Sequence, residues 1–379
     1  MPYTAPGDLV RIEASKPVEI VEPSQHRILP VCRHFGVCGG CALQHLDDET
    51  YRNFKRDLVV QTLAQRGISD VAVDAPLVVA SQTRRRAALK AVKQNGETRI
   101  GFNARQSHAV VDMHECHVLT PELFVAVGKL RVLMQTILRE GEQAELHLTE
   151  ADNGFDLSLK MKRANTPAVI AQIAQRAGQT GVIRVTAANE PLAEFEVPHL
   201  RIANADVRLP PEPFLQATAE SERFLQTYVI ERIGKAKFVA DLFCGIGTFA
   251  LPLAAQAKVH AFDGNADMIA ALTAAARGAK GLKPLAAERR DLFRRPLAAS
   301  ELNAFDAVVL DPPHAGAAAQ AEQLAKSKVG RVVYISCNPA SFARDARTLI
   351  DGGFRLADVT PVDQFLWSAQ LELAARFER

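Results

Sequence analysis

The sequence predicts an α/β fold whose carboxyl-terminal part contains a mostly parallel sheet. From Pro210 onward, short apolar strands alternate with helical patterns, which is typical of parallel sheets with helical crossovers. One strand, Phe238 to Leu242, leads into a glycine turn and a helix. Another strand, Arg331 to Ile335, stops at the sequence SCNP and is followed by a helix. Ligands bind at the carboxyl edge of such sheets, so we expect a site where these strands end.

The composition is that of an ordinary globular protein, with 379 residues, 48% hydrophobic and 23% charged, which is enough for two or three domains. A net charge of +2 gives no argument for a nucleic-acid partner, which would have to rest on local clustering. No apolar run approaches the ~20 residues of a membrane span, and the segment MPYTAPGDLV lacks a signal peptide's apolar core. We therefore expect a cytoplasmic protein without membrane contact. Its six cysteines then favour metal ligation or nucleophilic chemistry over disulfides.

Four cysteines in the amino-terminal part have a spacing typical of a metal site. Cys32, Cys38 and Cys41 lie among glycines that let the backbone wrap tightly, and Cys116 is the candidate fourth ligand. From the residues alone, zinc and a [4Fe–4S] cluster fit equally well, and cysteines without a metal are the third interpretation. The preceding residues 1–27 contain one short strand pattern and a second apolar run, which is too little for a domain.

A helix and a basic hairpin are expected next. The helix runs from Asp47 to Gly67. Its predicted apolar face comprises Tyr51, Phe54, Leu58 and Leu63. The hairpin turns at Asn95-Gly96. It carries seven cations against the single acid Glu97, namely Arg84, Arg85, Arg86, Lys90, Lys93, Arg99 and Arg105. Such a ribbon offers a platform for phosphates, and the alternative is an ordinary solvated polar face.

The middle of the chain predicts a mixed, mostly antiparallel α and β region without a catalytic motif. Thr120-Pro121 and Thr166-Pro167 each open a helix, and Asp152-Asn153-Gly154 turns a hairpin between them. These changes of pattern divide the chain into four expected parts, which are residues 1–27, 28–120, 121–209 and 210–379.

Candidate binding residues follow successive strands of the carboxyl-terminal part. Gly245 and Gly247 follow the first strand, where glycines let a ligand approach the backbone at a helix N-terminus. Asp263 ends the second strand, where a carboxylate can accept hydrogen bonds from two ribose hydroxyls. The glycine spacing also satisfies the dinucleotide pattern, so a nicotinamide dehydrogenase is one alternative. The turn Asp311-Pro312-Pro313 favours instead a methyltransferase acting on a flat nucleobase, because prolines stiffen the backbone against a planar ligand. Asp311 as a simple turn former is the other interpretation.

Cys337 is the candidate nucleophile. It ends a buried strand and meets the N-terminus of a helix, with Pro339 near the first helical position. The partial positive charge of that helix end favours a thiolate over a thiol. The alternative is a buried and inert cysteine.

These motifs together resemble the RNA uracil-C5 methyltransferase family, which uses S-adenosylmethionine. The resemblance covers residues 28 to 379 and rests on the cysteine quartet, Phe214-Leu215-Gln216, DLFCGIGTF, DPP and SCNP in this order. The chain is most similar to the iron–sulfur branch that modifies 23S ribosomal RNA, the RumA type. The resemblance implies a Rossmann-like methyltransferase domain with a mostly parallel seven-stranded sheet. It further implies an α+β central region with an iron–sulfur subdomain, and a TRAM-like amino-terminal segment reduced to its final strands.

The resemblance also implies roles for individual residues. Cys337 would be the nucleophile, and Glu372 would be the general base. The four cysteines would hold a [4Fe–4S] cluster. The cofactor and base-pocket positions are Gln216, Phe243, Gly245, Thr248, Asp263, Asp291 and Asp311. Three residues depart from the family's usual pattern, which are Gln370 in place of histidine, His314 in place of arginine and Thr248 in place of asparagine.

The expected chemistry follows from the weak nucleophilicity of uracil C5. Attack of the Cys337 thiolate on C6 would create an enolate whose C5 accepts the methyl group, and Glu372 would then remove the C5 proton. For that role Glu372 should lie in a partly desolvated pocket that raises its pKa. We expect a monomer acting on 23S rRNA. The alternatives are the same reaction on the T-loop of tRNA and a non-catalytic iron–sulfur protein that binds RNA.

Overall fold

The amino-terminal segment of the computed structural model, which describes residues 3–13 and 18–379, forms a small hairpin. Strands β1 (Leu9–Arg11) and β2 (Glu19–Glu22) pair in antiparallel orientation. The TRAM-like segment expected at residues 1–27 includes residues 1–2 and 14–17, which lie outside the described residues. That expectation therefore stays a prediction.

The predicted helix after the cysteines is present as α1 (Asp48–Ala64), and a two-residue strand, β3 (Leu77–Val78), follows it. The Asp47 side chain caps α1 by accepting a hydrogen bond from the Thr50 backbone N–H. The buried face differs from the prediction, since it comprises Tyr51, Lys55, Val59 and Leu63. Phe54 is 37% exposed instead. The predicted face included apolar residues only, so it left out Lys55. The ion pair with Asp363 allows the Lys55 side chain to be buried.

The central region is one six-stranded sheet with helices packed on it. Its elements are β4 (Arg86–Gln94), β5 (Glu97–Gly101), α2 (Pro121–Ile137), β6 (Gln143–Ala151), β7 (Gly154–Lys160), α3 (Pro167–Arg176), a 3₁₀ turn (Ala177–Thr180), β8 (Val182–Ala187) and β9 (Glu190–Glu194). The strand order is β5-β4-β6-β7-β8-β9. Because β4 pairs with β6, the basic hairpin and the middle region share a sheet.

The carboxyl-terminal region alternates strands and helices as predicted. A hairpin of β10 (His199–Ile202) and β11 (Ala205–Arg208) precedes it. The region itself comprises α4 (Ala219–Ile233), β12 (Phe238–Leu242), α5 (Ala250–Ala254), β13 (Lys258–Asp263), α6 (Ala266–Gly278), β14 (Leu285–Arg289), α7 (Ala299–Leu302), β15 (Ala307–Leu310), α8 (Ala318–Lys326), β16 (Arg331–Ser336), α9 (Pro339–Asp351), β17 (Arg355–Asp363) and β18 (Glu372–Glu378).

These strands form a mostly parallel sheet in the order β14-β13-β12-β15-β16-β18-β17-β3. The strand β18 is antiparallel to both of its neighbours. The predicted seven strands are therefore present, and β3 from the amino-terminal half adds an eighth by pairing in parallel with β17.

Both faces of this sheet are covered, as its continuous apolar strands require. Val309 packs with α4, α5 and α6, while its neighbour Val308 packs on the opposite face with α1, α8 and α9. The alternation follows the two-residue period of a strand. No helix in the described part of the chain is long and apolar enough to cross a membrane.

Candidate active site

Cys337 lies where the sequence predicted, between the buried strand β16 and helix α9. The Asn338 side chain caps this helix by accepting a hydrogen bond from the Ala340 N–H at 3.0 Å, and Pro339 occupies the first turn. Cys337 is half-buried. The strand and the capped helix therefore hold the sulfur at the carboxyl edge of the sheet.

The turn after β15 is hydrogen-bonded to the residues that follow Cys337, through a backbone oxygen of His314. The carbonyl oxygen of His314 accepts hydrogen bonds from Asn338 Nδ2 at 3.0 Å and from Ser341 Oγ at 3.1 Å. The departure from arginine at this position therefore leaves these links intact, because they use the main chain of His314. Asp311, which starts the turn, accepts a hydrogen bond from Gln216 Nε2 at 3.0 Å.

Glu372 lies beside the cysteine turn because β18 pairs with β16. In this ladder Ser336 is opposite Leu373, so the residues next in line, Cys337 and Glu372, lie at the same end of adjacent strands. Glu372 is 2% exposed. Its Oε2 accepts a hydrogen bond from Gln364 Nε2 at 2.7 Å.

The electrostatics of these groups confirm one sequence expectation and correct another. Burial and the nearby Asp311 raise the pKa of Glu372 well above its ordinary value, which is the direction expected from the sequence. The pKa of Cys337 is raised to about 11 by burial and by the carboxylates of Glu372 and Asp311. The sequence predicted the opposite direction, from the helix N-terminus alone. Burial of the thiol is the largest cause, and the two carboxyl groups, which come from other parts of the chain, add to it, so that together they outweigh that helix end.

Arg86 is a member of the site that the sequence assigned only to the basic hairpin. Its positive charge favours the ionised forms of both Glu372 and Cys337. The guanidinium lies 4.8 Å from the ring centroid of Phe214. Both residues line a cavity of about 340 Å³ on the polar face of the six-stranded sheet. The position of Arg86 at the start of β4 gave no signal of this role, which depends on how the two sheets meet.

The glycine turn after β12 forms an open cradle. Gly245 has φ of +54° and Gly247 has φ of +98°, and both conformations favour glycine. A Cβ atom at Gly245 would have no neighbouring atom within 4 Å, whereas at Gly247 it would lie 2.4 Å from Leu272 Cδ1. Gly247 is therefore needed for packing, and Gly245 leaves space for a ligand beside the turn. Thr248, which follows, is 8% exposed.

The two predicted cofactor carboxylates lie at the same edge, after β13 and β14. Asp263 accepts hydrogen bonds from the Gly245 N–H at 2.9 Å and the Asn265 N–H at 2.8 Å. Asp291 accepts from the Phe293 N–H at 3.0 Å. The rings of Phe243 and Phe293 lie 5.4 Å apart, and Phe293 is 53% exposed. An exposed aromatic surface beside a carboxylate suits a flat ring bearing N–H groups.

The four predicted metal ligands line one cavity of about 390 Å³, together with Arg84, Phe365 and Gln370. Burial raises the pKa of Cys41 to about 12, and the neighbouring Cys116, Cys38 and Cys32 add to the shift. The fold thus brings the remote Cys116 to the other three. Within the described residues, however, no three cysteine, histidine or acidic side chains form a group that could hold a metal ion.

The basic hairpin is less uniform than predicted. Arg85 is 8% exposed and forms an ion pair with Glu222, so it faces inward. Arg84 is half-buried, with its guanidinium 5.8 Å from the ring centroid of Phe365. Arg99 is exposed. The seven cations therefore do not form one exposed platform, because alternate residues of a strand face opposite sides of the sheet.

The doubly covered sheet, with its glycine cradle and acidic strand ends, defines an α/β protein of the Rossmann-like methyltransferase class. A family model for tRNA (uracil-5-)-methyltransferases matches residues 194–379. An RNA methyltransferase of Brucella suis is 45% identical over 99% of this chain and 91% of its own. The 23S rRNA (uracil(1939)-C(5))-methyltransferase RlmD of Vibrio vulnificus is 30% identical over 96% of this chain and 85% of its own. The chain belongs to the RNA uracil-5-methyltransferase family.

A solved structure supports the same fold over the whole length. The tRNA (uracil-54, C5)-methyltransferase of Pyrococcus abyssi, in complex with S-adenosyl-L-homocysteine, matches with a TM-score of 0.76 at 23% identity. The alignment covers 99% of this chain and 94% of that one. This match confirms the predicted α/β fold, and the relatives described above confirm the predicted family and enzyme class.

Proposed function

We propose that this protein methylates C5 of a specific uridine in 23S rRNA, with S-adenosylmethionine as the methyl donor. The observation that carries the proposal is the placement of Cys337 and Glu372 at the same end of two paired strands. A nucleophile and a base at one edge can act on neighbouring atoms of a single ring, as C5 and C6 of uracil are.

In the proposed mechanism Cys337 adds through its sulfur to C6 and gives an enolate, whose C5 takes the methyl group from the donor sulfonium. Glu372 then removes the C5 proton, and the electrons of the C–H bond restore the C5–C6 double bond as Cys337 leaves. Because burial raises the pKa of Cys337, the thiol must lose its proton to solvent water before it adds to C6, and the charge of Arg86 favours that loss. The target base must also leave its stack to reach the buried cysteine.

The donor would bind along the edge formed by the ends of β12, β13 and β14. The residues proposed to hold it, or to shape the adjoining base pocket, are Gln216, Phe243, Gly245, Thr248, Asp263, Asp291 and Asp311. The open space beside Gly245 supports this assignment. A nicotinamide cofactor would need no Asp311-Pro312-Pro313 turn and no Cys337, so a dehydrogenase is disfavoured.

For the RNA substrate, we propose 23S rRNA because RlmD of Vibrio vulnificus, which matches over nearly the whole chain, is named for that substrate. The tRNA T-loop is the second candidate, since the Pyrococcus abyssi enzyme is named for uracil 54 of tRNA. Mapping 5-methyluridine in both RNAs from a deletion strain distinguishes them. We further propose a cytoplasmic monomer in which residues 210–379 form the methyltransferase domain and the preceding parts contact RNA.

A [4Fe–4S] cluster is proposed for the cavity lined by Cys32, Cys38, Cys41 and Cys116. Support comes from the convergence of all four thiols on one cavity. Four cysteinates are the ligand set of such clusters. Anaerobically purified protein should be brown and contain about four irons per chain. Colourless protein with one zinc per chain would refute the iron assignment, and an unchanged metal content in Cys116→Ala would exclude that ligand.

Two variants test the mechanism, because each should stop the reaction at a different step. Cys337→Ala cannot activate C5, so it should neither transfer a methyl group nor form a covalent adduct. Glu372→Gln keeps the nucleophile but loses the base, so a methylated enzyme–RNA adduct should accumulate and survive denaturing electrophoresis. Labelled S-adenosylmethionine and a short uridine-containing rRNA fragment are sufficient for the assay. Turnover by Cys337→Ala, or normal turnover by Glu372→Gln without an adduct, would refute the assigned roles.

A further inference from the structure

Gln364 is a buried glutamine that lies behind both Gln216 and Glu372. It directly follows strand β17 and is 2% exposed. An amide without hydrogen-bond partners is costly to bury, so both ends of this side chain are expected to have partners.

The orientation of the Gln364 amide is fixed by the main chain. Its Oε1 accepts a hydrogen bond from the Ala217 N–H at 2.8 Å, and the Ser221 hydroxyl lies 2.9 Å from the same oxygen. A backbone N–H can only donate, so a flipped amide would place two donors against each other. The NH₂ group must therefore face the other way.

Both hydrogens of that NH₂ group are donated to residues of the candidate site. Nε2 lies 2.7 Å from Gln216 Oε1 and 2.7 Å from Glu372 Oε2. Because Gln216 Oε1 accepts here, the Gln216 amide must present its own NH₂ group to Asp311, as observed at 3.0 Å. The direction of each amide thus follows from the Ala217 N–H.

The same contacts make the two oxygens of Glu372 unequal. Oε2 accepts from Gln364, whereas Oε1 is buried and has no hydrogen-bond partner within the described protein. Proton transfer to a carboxylate is easier at the oxygen that is not already engaged by a donor.

We infer that Gln364 is a positioning residue, which fixes the direction of the Gln216 amide and leaves Glu372 Oε1 as the atom that takes the C5 proton. The inference rests on the proposed uracil methylation. It adds a residue that acts through Gln216 and Glu372 and that the sequence motifs did not indicate.

The test compares Gln364→Leu with Gln320→Leu. Gln320 is a matched control, because it is 1% exposed and, within the part of the chain that the structure describes, its amide bonds only the main chain of Leu297. Removing the Gln364 donor disfavours the ionised form of Glu372. The acid limb of the kcat profile, which is the fall of kcat on the acidic side, should therefore shift to a higher pH by about one unit. A covalent RNA adduct should also accumulate, because proton removal becomes slow. Gln320→Leu should change neither.

A merely structural role for Gln364 predicts a different result. Gln364→Leu would then lose thermal stability as Gln320→Leu does, with an unmoved pH limb and no adduct, and the inference would be overturned. If Gln364→Leu does not fold, Gln364→Glu serves instead. Its added carboxyl should also move the acid limb upward, and an unmoved limb would again overturn the inference. A wild-type protein without uracil methylation would refute the proposed function itself, which separates the two failures.

Discussion

Replacing Lys55 by methionine should destabilise the protein more than any surface substitution on the same helix. The side chains of Lys55 and Asp363 are both fully buried, with 2.8 Å between Nζ and Oδ1. Lys55 Nζ also donates to the carbonyl oxygen of Gln370 at 2.5 Å. Methionine keeps most of the volume but leaves Asp363 as an uncompensated buried charge, and the hydroxyl of Tyr51 is then its one side-chain hydrogen-bond partner among the described residues.

The expected cost is about 3–5 kcal/mol, the range for breaking a buried ion pair by removing one partner. This corresponds to a decrease of about two to nearly four decades in the ratio of folded to unfolded protein. Replacing both residues, as Lys55→Met with Asp363→Leu, should recover a large part of the loss, because no unpaired charge is left. Urea denaturation followed by circular dichroism measures all three free energies of unfolding.

Arg52→Ala is the matched control on the same helix. Its ion pair with Asp48 is exposed, at 45% and 74% of the two side chains, so the expected cost is below about 1 kcal/mol. If Lys55→Met also costs less than about 1 kcal/mol, the buried charge is neutralised in some other way and the reasoning is wrong. Equal losses in the single and double variants would likewise contradict it.

Three further predictions concern the site and its surroundings. Burial raises the pKa of Glu372, so above the ordinary carboxyl pKa this group binds a proton in the native protein but not in the unfolded chain. Its contribution therefore lowers the stability of the native protein as the pH rises. Glu372→Gln removes this contribution, so it should raise the melting temperature at pH 8 and leave it nearly unchanged at pH 4. Gly247→Ala should cost about 1–3 kcal/mol in urea denaturation, because its Cβ would meet Leu272 at 2.4 Å, whereas Gly245→Ala, with open space, should cost about 1 kcal/mol. Arg86→Ala should reduce the slope of log affinity for RNA against log salt by about one unit, and an unaltered slope would place the phosphate contacts elsewhere.

Local patterns predicted the carboxyl-terminal fold well. The apolar strands ended where expected, and the residues at or after their ends are Gly245, Asp263, Asp311 and Cys337. Neighbouring residues encode the end of a strand and the start of the next helix, so a local pattern is sufficient to predict both. Since carboxyl ends of parallel strands meet at one edge, the sequence also indicated that these residues share a site.

The features that the sequence did not predict depend on contacts between distant segments. The pKa of Cys337 was expected to fall, but burial of the thiol raises it, and Glu372 and Asp311, which strand pairing brings to the same edge, add to the rise. The predicted apolar face of α1 did not include Lys55, and Arg85 was expected on a phosphate platform or on a solvated polar face. Each is instead buried against an acid more than a hundred residues away in the chain, Asp363 and Glu222 respectively. A single charged residue carries no local signal that its partner will be buried beside it.

The pairing of β3 with β17 has a consequence for how this chain can be divided. Leu77 and Val78 cover the outer edge of the carboxyl-terminal sheet, and Val59 and Leu63 of α1 cover part of one face. A fragment beginning at residue 194, where the family model begins, would expose both the backbone groups of β17 and an apolar surface. Such a fragment should aggregate when produced alone and become soluble when residues 48–79 are supplied with it. The catalytic half is therefore not a transferable module, since the amino-terminal half supplies part of its architecture.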